Sequence, residues 1–267
     1  MIRLVATDLD GTLLKPDGSL PDGLFSTVSA LAANGVLFCA ASGRQLSSLE
    51  SLFSPVLRET ILLAENGAVV KYRGKVLFRD PMPVSEAERA LSVLRARSDS
   101  DSLLCTERCA YYERGGEPFE TLVRAAYLTA EREDFSSALL RGEPVCKIAV
   151  CARDNPETVR EDLSEALPGL RVILSGGNWM DISLPGTDKG TALRKIMEFF
   201  RIPETECAAF GDQMNDLEML RASRHPFVPR SAYPSLKEAL GKTGPFTETD
   251  DVHAEMRKFL PAPEKKE

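Results

Sequence analysis

The stretch Ile2-Arg3-Leu4-Val5-Ala6-Thr7-Asp8-Leu9-Asp10-Gly11-Thr12-Leu13-Leu14 decides how this chain folds. Ile2, Leu4, Val5 and Ala6 form a short apolar run of the kind that becomes a buried strand of a parallel sheet, and it stops abruptly at two carboxylates and a glycine. In open α/β sheets, ligands bind outside the carboxyl ends of the strands, where the strand order switches. Asp8 and Asp10, separated by one residue, are expected to lean toward the same side of that strand end. Two negative charges crowded there call for a cation, and a divalent metal is the simplest remedy. The competing reading is that Asp-Leu-Asp-Gly is an ordinary turn, since Asp and Gly are common turn residues.

Outward from this stretch the pattern repeats. Leu24, Phe25, Val28, Leu31 and Ala32 recur at helical spacing and Asn34-Gly35 supplies the stop. Val36 to Ala41 is a second continuous apolar strand ending at Ser42-Gly43-Arg44, and after a short helical stretch Ile61 to Ala64 is a third, ending at Glu65-Asn66-Gly67. Strand, helix, strand, helix, strand with polar residues at each strand end predicts an α/β fold with a doubly wound, mainly parallel sheet.

Pro81 and Pro83 then bracket a boundary. Ser85-Glu86-Ala87-Glu88 reads as a capping box opening a helix with Leu91, Val93 and Leu94. Leu103 to Cys105 and Ala110 to Tyr112 read as paired strands, Lys147 to Val150 as another, and Asn155-Pro156 as the start of a helix carrying Val159, Leu163 and Leu167. Val172 to Leu174, Gly176-Gly177 and Trp179 to Ile182 suggest an antiparallel hairpin. The expected organisation is a core of residues 1–82 and 186–267 with an inserted α+β domain at 83–185. Beyond Pro185-Gly186, Gly190 to Phe200 reads as a helix, Cys207 to Phe210 as a buried strand ending in Gly211-Asp212, Met214 to Arg221 as a helix and Pro226 to Val228 as a short last strand. Leu236 to Leu240 and Met256 to Leu260 are expected to cover a sheet face, and Glu264-Lys265-Lys266-Glu267 to be a solvated tail.

At 267 residues, 43% hydrophobic and 27% charged, the composition is that of an ordinary globular protein. No apolar run approaches the ~20 residues needed to cross a membrane, and the start of the chain lacks the basic region and cleavage site of a signal peptide, so a cytoplasmic location is expected. Six scattered cysteines fit small buried residues in a reducing compartment; with only two histidines, Cys105 and Cys109 lack a zinc set. A net charge of −7 argues against a nucleic-acid partner. Oligomeric state is not legible.

Four strand ends thus offer complementary polar groups: Asp8 and Asp10; Ser42 with Gly43; Lys189 beside a helix start; and Asp212 with Asn215 and Asp216. A phosphoryl group needs such a set. Ser42, the amide of Gly43, Asn215 and Lys189 can donate to its oxygens, and its charge, with that of Asp8, requires a cation. Mg²⁺ takes oxygen ligands and usually only a few from protein.

In these motifs the sequence resembles the haloacid dehalogenase superfamily, and within it the Cof-type phosphatases with a large inserted cap. Asp8-Leu9-Asp10-Gly11-Thr12-Leu13, Ala41-Ser42-Gly43-Arg44, Lys189-Gly190-Thr191-Ala192-Leu193 and Gly211-Asp212-Gln213-Met214-Asn215-Asp216 are similar to its four motifs in order, and Glu65-Asn66-Gly67-Ala68 to a further stretch of the subgroup. Ser42 stands where Thr is frequent and keeps the hydroxyl. The resemblance implies that Asp8 attacks phosphorus to form an aspartyl phosphate and that Asp10 protonates the leaving alkoxide and later takes the proton of water. It also implies that Mg²⁺ is held by the Asp8 carboxylate, the Asp10 carbonyl and Asp212 with Asp216 in support, that Leu9 joins the phosphate-binding set, and that Lys189 pairs with Asp8 and the phosphoryl oxygens. Arg44 is expected to support the site or only to brace its loop, and Asn66 to support it or only to cap a turn.

The expected function is a Mg²⁺-dependent phosphatase acting on a small phosphorylated metabolite such as a sugar phosphate, with the cap closing over the reaction. A phosphomutase would use the same intermediate, and phosphate release without a sugar-bisphosphate activator separates the two. A non-catalytic binding module on this fold is the third reading, against which the intact acids and lysine weigh. In the cap, Lys147, Asn178 and Asp181 are polar candidates near the substrate, with solvation or bracing of hairpin turns the favoured reading for each.

Overall fold

The computed structural model describes residues 1–261, so the Glu264 to Glu267 tail lies outside the described residues. Fourteen strands among these residues form two sheets. In the first, β1 (Leu4–Thr7), β2 (Leu37–Ala41), β3 (Thr60–Ala64), β12 (Cys207–Phe210), β13 (His225–Pro229) and β14 (Thr247–Thr249) run parallel, and β4 (Val69–Tyr72) and β5 (Lys75–Arg79) add an antiparallel edge. The order is β14-β13-β12-β1-β2-β3-β4-β5. The chain leaves β1 toward β2 on one side and returns on the other through β12, so β1 sits at the switch in strand order and Asp8 is the residue just beyond its end.

The strand period of two sorts the β1 side chains. Leu4 and Ala6 face one layer, packed with Leu193, Ile196 and Met197 of the helix Lys189–Phe200 and with Leu236 and Leu240 of the helix Pro234–Gly241. Val5 faces the other, with Leu24, Val28 and Leu31 of the helix Leu24–Ala33 and Val252 and Met256 of the helix Val252–Arg257. The two C-terminal helical segments therefore cover opposite faces rather than one. Both helical layers are held by continuous apolar burial, which makes the strand ends a rigid frame.

The second sheet has the order β10-β11-β9-β6-β7-β8. It is built from β6 (Ser100–Thr106), β7 (Ala110–Tyr112), β8 (Ala130–Arg132), β9 (Val145–Ala152), β10 (Arg171–Gly176) and β11 (Trp179–Ser183), antiparallel except for β7 with β8. Ile148, Val150, Met180 and Ile182 pack on the helices Val84–Arg95 and Pro156–Ala166. The alternate residues Ala149 and Cys151 face the other way, against Phe119 and Val123 of the helix Glu117–Ala126. All six cysteines are buried free thiols. Among the described residues, no helix is long and apolar enough to cross a membrane.

Two local expectations are corrected. The helix expected to open with a Ser85 capping box begins at Val84 with Pro83 as its cap, so Ser85 lies inside the first turn and makes no capping bond. The strand His225–Pro229 is not the last: Thr247–Thr249, polar in sequence, joins it as the sheet edge.

Candidate functional site

The ends of β1, β2 and β12 contribute to one cleft of about 580 Å³, lined by Asp8, Asp10, Ser42, Gly43, Arg44 and Asn215 from the first sheet's strand ends and by Arg124, Tyr127, Lys147, Trp179 and Asp181 from the second sheet and its helix. Asp8 is buried, and its backbone amide is tied to the Phe210 carbonyl at 2.9 Å, so its position follows from the sheet itself. Lys189 is the first residue of its helix, capped by Asp188, whose carboxylate accepts from the Thr191 amide at 2.7 Å. The Lys189 ammonium is fully buried and donates to Asp8 Oδ1 at 2.5 Å and to Asp216 Oδ1 at 2.6 Å. The other Asp216 oxygen accepts from the backbone amides of Asp212 and Gln213, both at 3.0 Å. Asp216 therefore braces the lysine and the turn at once.

Asp212 completes a trio. One oxygen each from Asp8, Asp212 and Asp216 lie within 4.8 Å of one another. Thr12 donates to Asp212 Oδ1 at 2.8 Å. Gly11 has φ +81°, and a Cβ there would fall 2.3 Å from Asp212 Oδ2, so only glycine lets the Asp10-Gly11 backbone come this close to the carboxylate. Burial pushes the Asp8 carboxyl well above the usual range, with Lys189 opposing and Asp216 adding to the rise. Asp212 is raised to about 6, mainly by burial and then by Asp216. Burial acts to lower the Lys189 ammonium, but Asp216 and Asp8 outweigh it and hold it above the ordinary lysine value. Three carboxylates thus face one ammonium in a buried place. An all-oxygen donor set with unmatched negative charge suits a hard divalent cation such as Mg²⁺.

The expectation that Asp8 and Asp10 crowd each other is corrected. Asp8 is buried, whereas the Asp10 carboxylate is exposed at the mouth of the cleft, where Arg44 grips it through both oxygens, Nε at 2.8 Å and Nη2 at 2.5 Å. β1 ends at Thr7 and the chain enters the turn Leu9–Leu13, with Gly11 at positive φ, so strand alternation does not carry from Asp8 to Asp10. The acids that crowd Asp8 are Asp212 and Asp216, about two hundred residues later in the chain. Arg44 is thereby a partner of Asp10 rather than a brace of its own loop.

The Ser42 hydroxyl accepts from the Arg44 amide at 3.1 Å, which leaves its proton free to be donated into the cleft. Asn66 does more than cap a turn. Its Nδ2 donates to Asp181 Oδ2 at 2.6 Å and its Oδ1 accepts from Asn215 Nδ2 at 3.2 Å. The favoured reading of two cap residues is corrected as well: Lys147 and Asp181 are buried, not solvated, and both reach the core, whereas Asn178 is exposed at the hairpin. Lys147 Nζ donates to the Gly43 carbonyl at 2.8 Å and lies 3.1 Å from Asp181 and 3.3 Å from Glu65. Glu65 and Gln45 are absent from the sequence-derived set. Gln45 is buried and bonds both ways with the Thr129 backbone, donating at 2.9 Å and accepting at 3.1 Å. A signal for Lys147 and Asp181 does exist in the sequence: each is a single charge inside an apolar strand, of opposite sign, a pattern that asks for a buried partner.

A family model described as haloacid dehalogenase-like hydrolase matches residues 5–255. The chain is 28% identical over 236 residues to a 5-amino-6-(5-phospho-D-ribitylamino)uracil phosphatase of Escherichia coli strain K12, covering 86% of each chain. It is 29% identical over 244 residues to the HMP-PP phosphatase of Escherichia fergusonii, covering 90% of this chain and 88% of that one. In structure it is similar to a crystallised protein of Streptococcus mutans UA159, with a TM-score of 0.87, 20% identity and coverage of 98% of this chain and 100% of that one. With a family match that spans nearly the whole chain and includes the strand end at Asp8 and the buried Lys189, this protein belongs to the haloacid dehalogenase-like hydrolases.

Proposed function

We propose that the protein hydrolyses a small phosphorylated metabolite through a phosphoryl group carried on Asp8, with Mg²⁺ as its metal. The observation that carries this reading is the buried Lys189 ammonium pinned between Asp8 and Asp216, with Asp212 as a third carboxylate beside them. Relatives named as phosphatases support the reaction class. Asp8, the Asp10 carbonyl and Asp212 would hold Mg²⁺, which when bound supplies positive charge against the phosphoryl oxygens.

Asp8 Oδ forms a bond to phosphorus as the bond to the leaving alkoxide breaks, and Asp10 delivers a proton to that alkoxide. Water then attacks phosphorus, Asp10 takes its proton, and the bond from phosphorus to Asp8 breaks to release phosphate. Lys189 orients the Asp8 carboxylate and neutralises charge on the phosphoryl group. The Ser42 hydroxyl, the Gly43 and Leu9 amides and Asn215 Nδ2 donate to its oxygens. Arg44 holds Asp10 at the cleft mouth, on the side where a leaving group departs. Residues 83–185 select the substrate, which accords with Arg124, Tyr127 and Trp179 lining the outer cleft.

The test is a screen of phosphorylated metabolites with Mg²⁺, using the Asp8→Asn protein as the blank. Phosphate release by the native protein alone, abolished by chelation and restored by Mg²⁺, is the expected result. Full activity in excess chelator contradicts the metal assignment, and equal release by the Asp8→Asn protein contradicts the nucleophile.

A further inference from the structure

Resting on that reading, we propose that Lys147 and Asp181, on the strands β9 and β11 of the second sheet, are positioning residues for the core's phosphate-binding donors. The sheet that covers the cleft would then not only select the substrate but also set the Ser42-Gly43 loop and the Asn66-Asn215 pair in the geometry that grips phosphate.

Lys147 acts on a peptide plane. Its Nζ donates to the Gly43 carbonyl at 2.8 Å, and the amide on the same plane, that of Arg44, donates to Ser42 Oγ at 3.1 Å. The Gly43-Arg44 peptide is therefore fixed at both ends, one by the covering sheet and the other by the hydroxyl expected to bind phosphate. A flip of this peptide would remove the Ser42 acceptor bond and turn that hydroxyl away from the role of donor.

Asp181 acts through amides. It accepts from Asn66 Nδ2 at 2.6 Å, which leaves Asn66 Oδ1 as the acceptor for Asn215 Nδ2 at 3.2 Å. Without the carboxylate, the orientation of the Asn66 amide rests on the bond from Asn215, itself an amide that can turn. The Asn66 ring of contacts is tight: a Cβ on Gly43 would lie 3.1 Å from Asn66 Oδ1. The backbone links the two arms, because the Asn66 amide donates to the Ser42 carbonyl at 3.0 Å and the Glu65 amide to the Arg44 carbonyl at 3.0 Å.

The loop that receives both arms is itself strained. Glu65, Asn66 and Gly67 have φ of +51°, +55° and +104° in succession, and a Cβ on Gly67 would fall 2.5 Å from the Asp188 carbonyl at the start of the Lys189 helix. Two consecutive non-glycine residues in the left-handed region persist only where surrounding contacts over-determine them. Here those contacts include Lys147 and Asp181 beside the backbone bonds to Arg44 and Ser42. Glu65 lies 3.3 Å from Lys147, yet neither of its buried oxygens accepts an aligned hydrogen bond, so the ammonium's directed bond goes to the Gly43 carbonyl.

Inorganic phosphate tests this, because it has no leaving group for the covering sheet to recognise. Its binding to the Mg²⁺-loaded full chain is titrated by calorimetry for the native protein, Lys147→Met, Asp181→Leu and Asp181→Asn. Thermal unfolding and kcat and KM on p-nitrophenyl phosphate are measured alongside. The expected result is phosphate affinity at least tenfold weaker in Lys147→Met and Asp181→Leu, with an intermediate loss in Asp181→Asn, whose amide oxygen still accepts from Asn66. Where Lys147→Met fails to fold, Lys147→Met combined with Glu65→Gln removes one stranded carboxylate and gives the same reading. Unchanged phosphate affinity in the folded variants, with only KM for larger substrates or the unfolding temperature shifted, overturns the proposal. A native protein that binds phosphate but does not turn over any phosphate ester leaves this inference standing and removes the phosphatase reading instead.

Discussion

Two buried lysines, Lys189 in the core and Lys147 in the covering sheet, each face two carboxylates, and they differ in what their charge is arranged for. Lys189 makes short bonds to both of its acids, and a third, Asp212, stands beside them with the Thr12 hydroxyl on its oxygen. Lys147 gives its best bond to a backbone carbonyl and stands off from its acids, one of which, Glu65, is raised to about 7, chiefly by burial with Lys147 opposing. The first cluster has unmatched charge that a metal and a phosphoryl group can use. The second is matched closely enough to act as a fastener between two sheets. Buried ion pairs are weak evidence for stability alone, so a charge cluster in each place points to a role in the site.

The largest expected difference is between replacing the two lysines. Lys189→Met removes the only ammonium on Asp8 among the described residues and should lower kcat by ~10²–10³-fold, as loss of a preorganised charge at a reacting group does. Lys147→Met should cost nearer tenfold, and steady-state kinetics on one aryl phosphate compares the two. Equal losses would erase the contrast between a reacting cluster and a fastening one.

More selective is Asp10→Asn. Proton transfer contributes typically ~10²–10⁴-fold, most for a poor alkoxide leaving group and least for a phenolate. The variant should therefore lose far more activity on alkyl than on aryl phosphates. The same loss on both, measured as kcat/KM, contradicts the role given to Asp10.

The most local effect is in stability. The Glu65 carboxyl has an ordinary value of 4.5 and is raised to about 7 in the fold, so between these values the folded protein keeps a proton that the unfolded chain has lost. Stability is then lost as pH rises from about 4.5 to about 7, by up to ~3 kcal/mol for one such buried group. Denaturant melts across this window should show a decline that Glu65→Gln flattens. An identical pH slope in both proteins would mean that Glu65 is ionised and well paired throughout.

The alternation of parallel strands with helices and the acids at the strand ends were legible because each motif is local: an apolar run, a stop and a turn residue within a few positions; the edge strands β4 and β5 were not read. The Lys189 helix start, the Asp212 turn and the doubly wound topology follow from such runs. Distance in the chain hid the rest. Lys147 and Gly43 are 104 residues apart, Asn66 and Asp181 115, and no local pattern says which strand charge will be buried against which loop. Asp10 misled because alternation was extended beyond the end of β1 at Thr7 into the turn Leu9–Leu13. Thr247–Thr249 was missed because a short polar edge strand owes its state to pairing with Phe227, Val228 and Pro229 rather than to its own residues.

The central claim is that phosphorus passes through Asp8. The most direct measurement is rapid acid quench of the Asp10→Asn protein with an aryl phosphate and Mg²⁺, followed by peptide mapping. The base that would activate water is gone in this variant, so phosphoenzyme should accumulate with a burst of phenolate, and the phosphate should lie on the peptide containing Asp8 and be released by hydroxylamine. Turnover without a burst and without label on Asp8, or label on another residue, would contradict it.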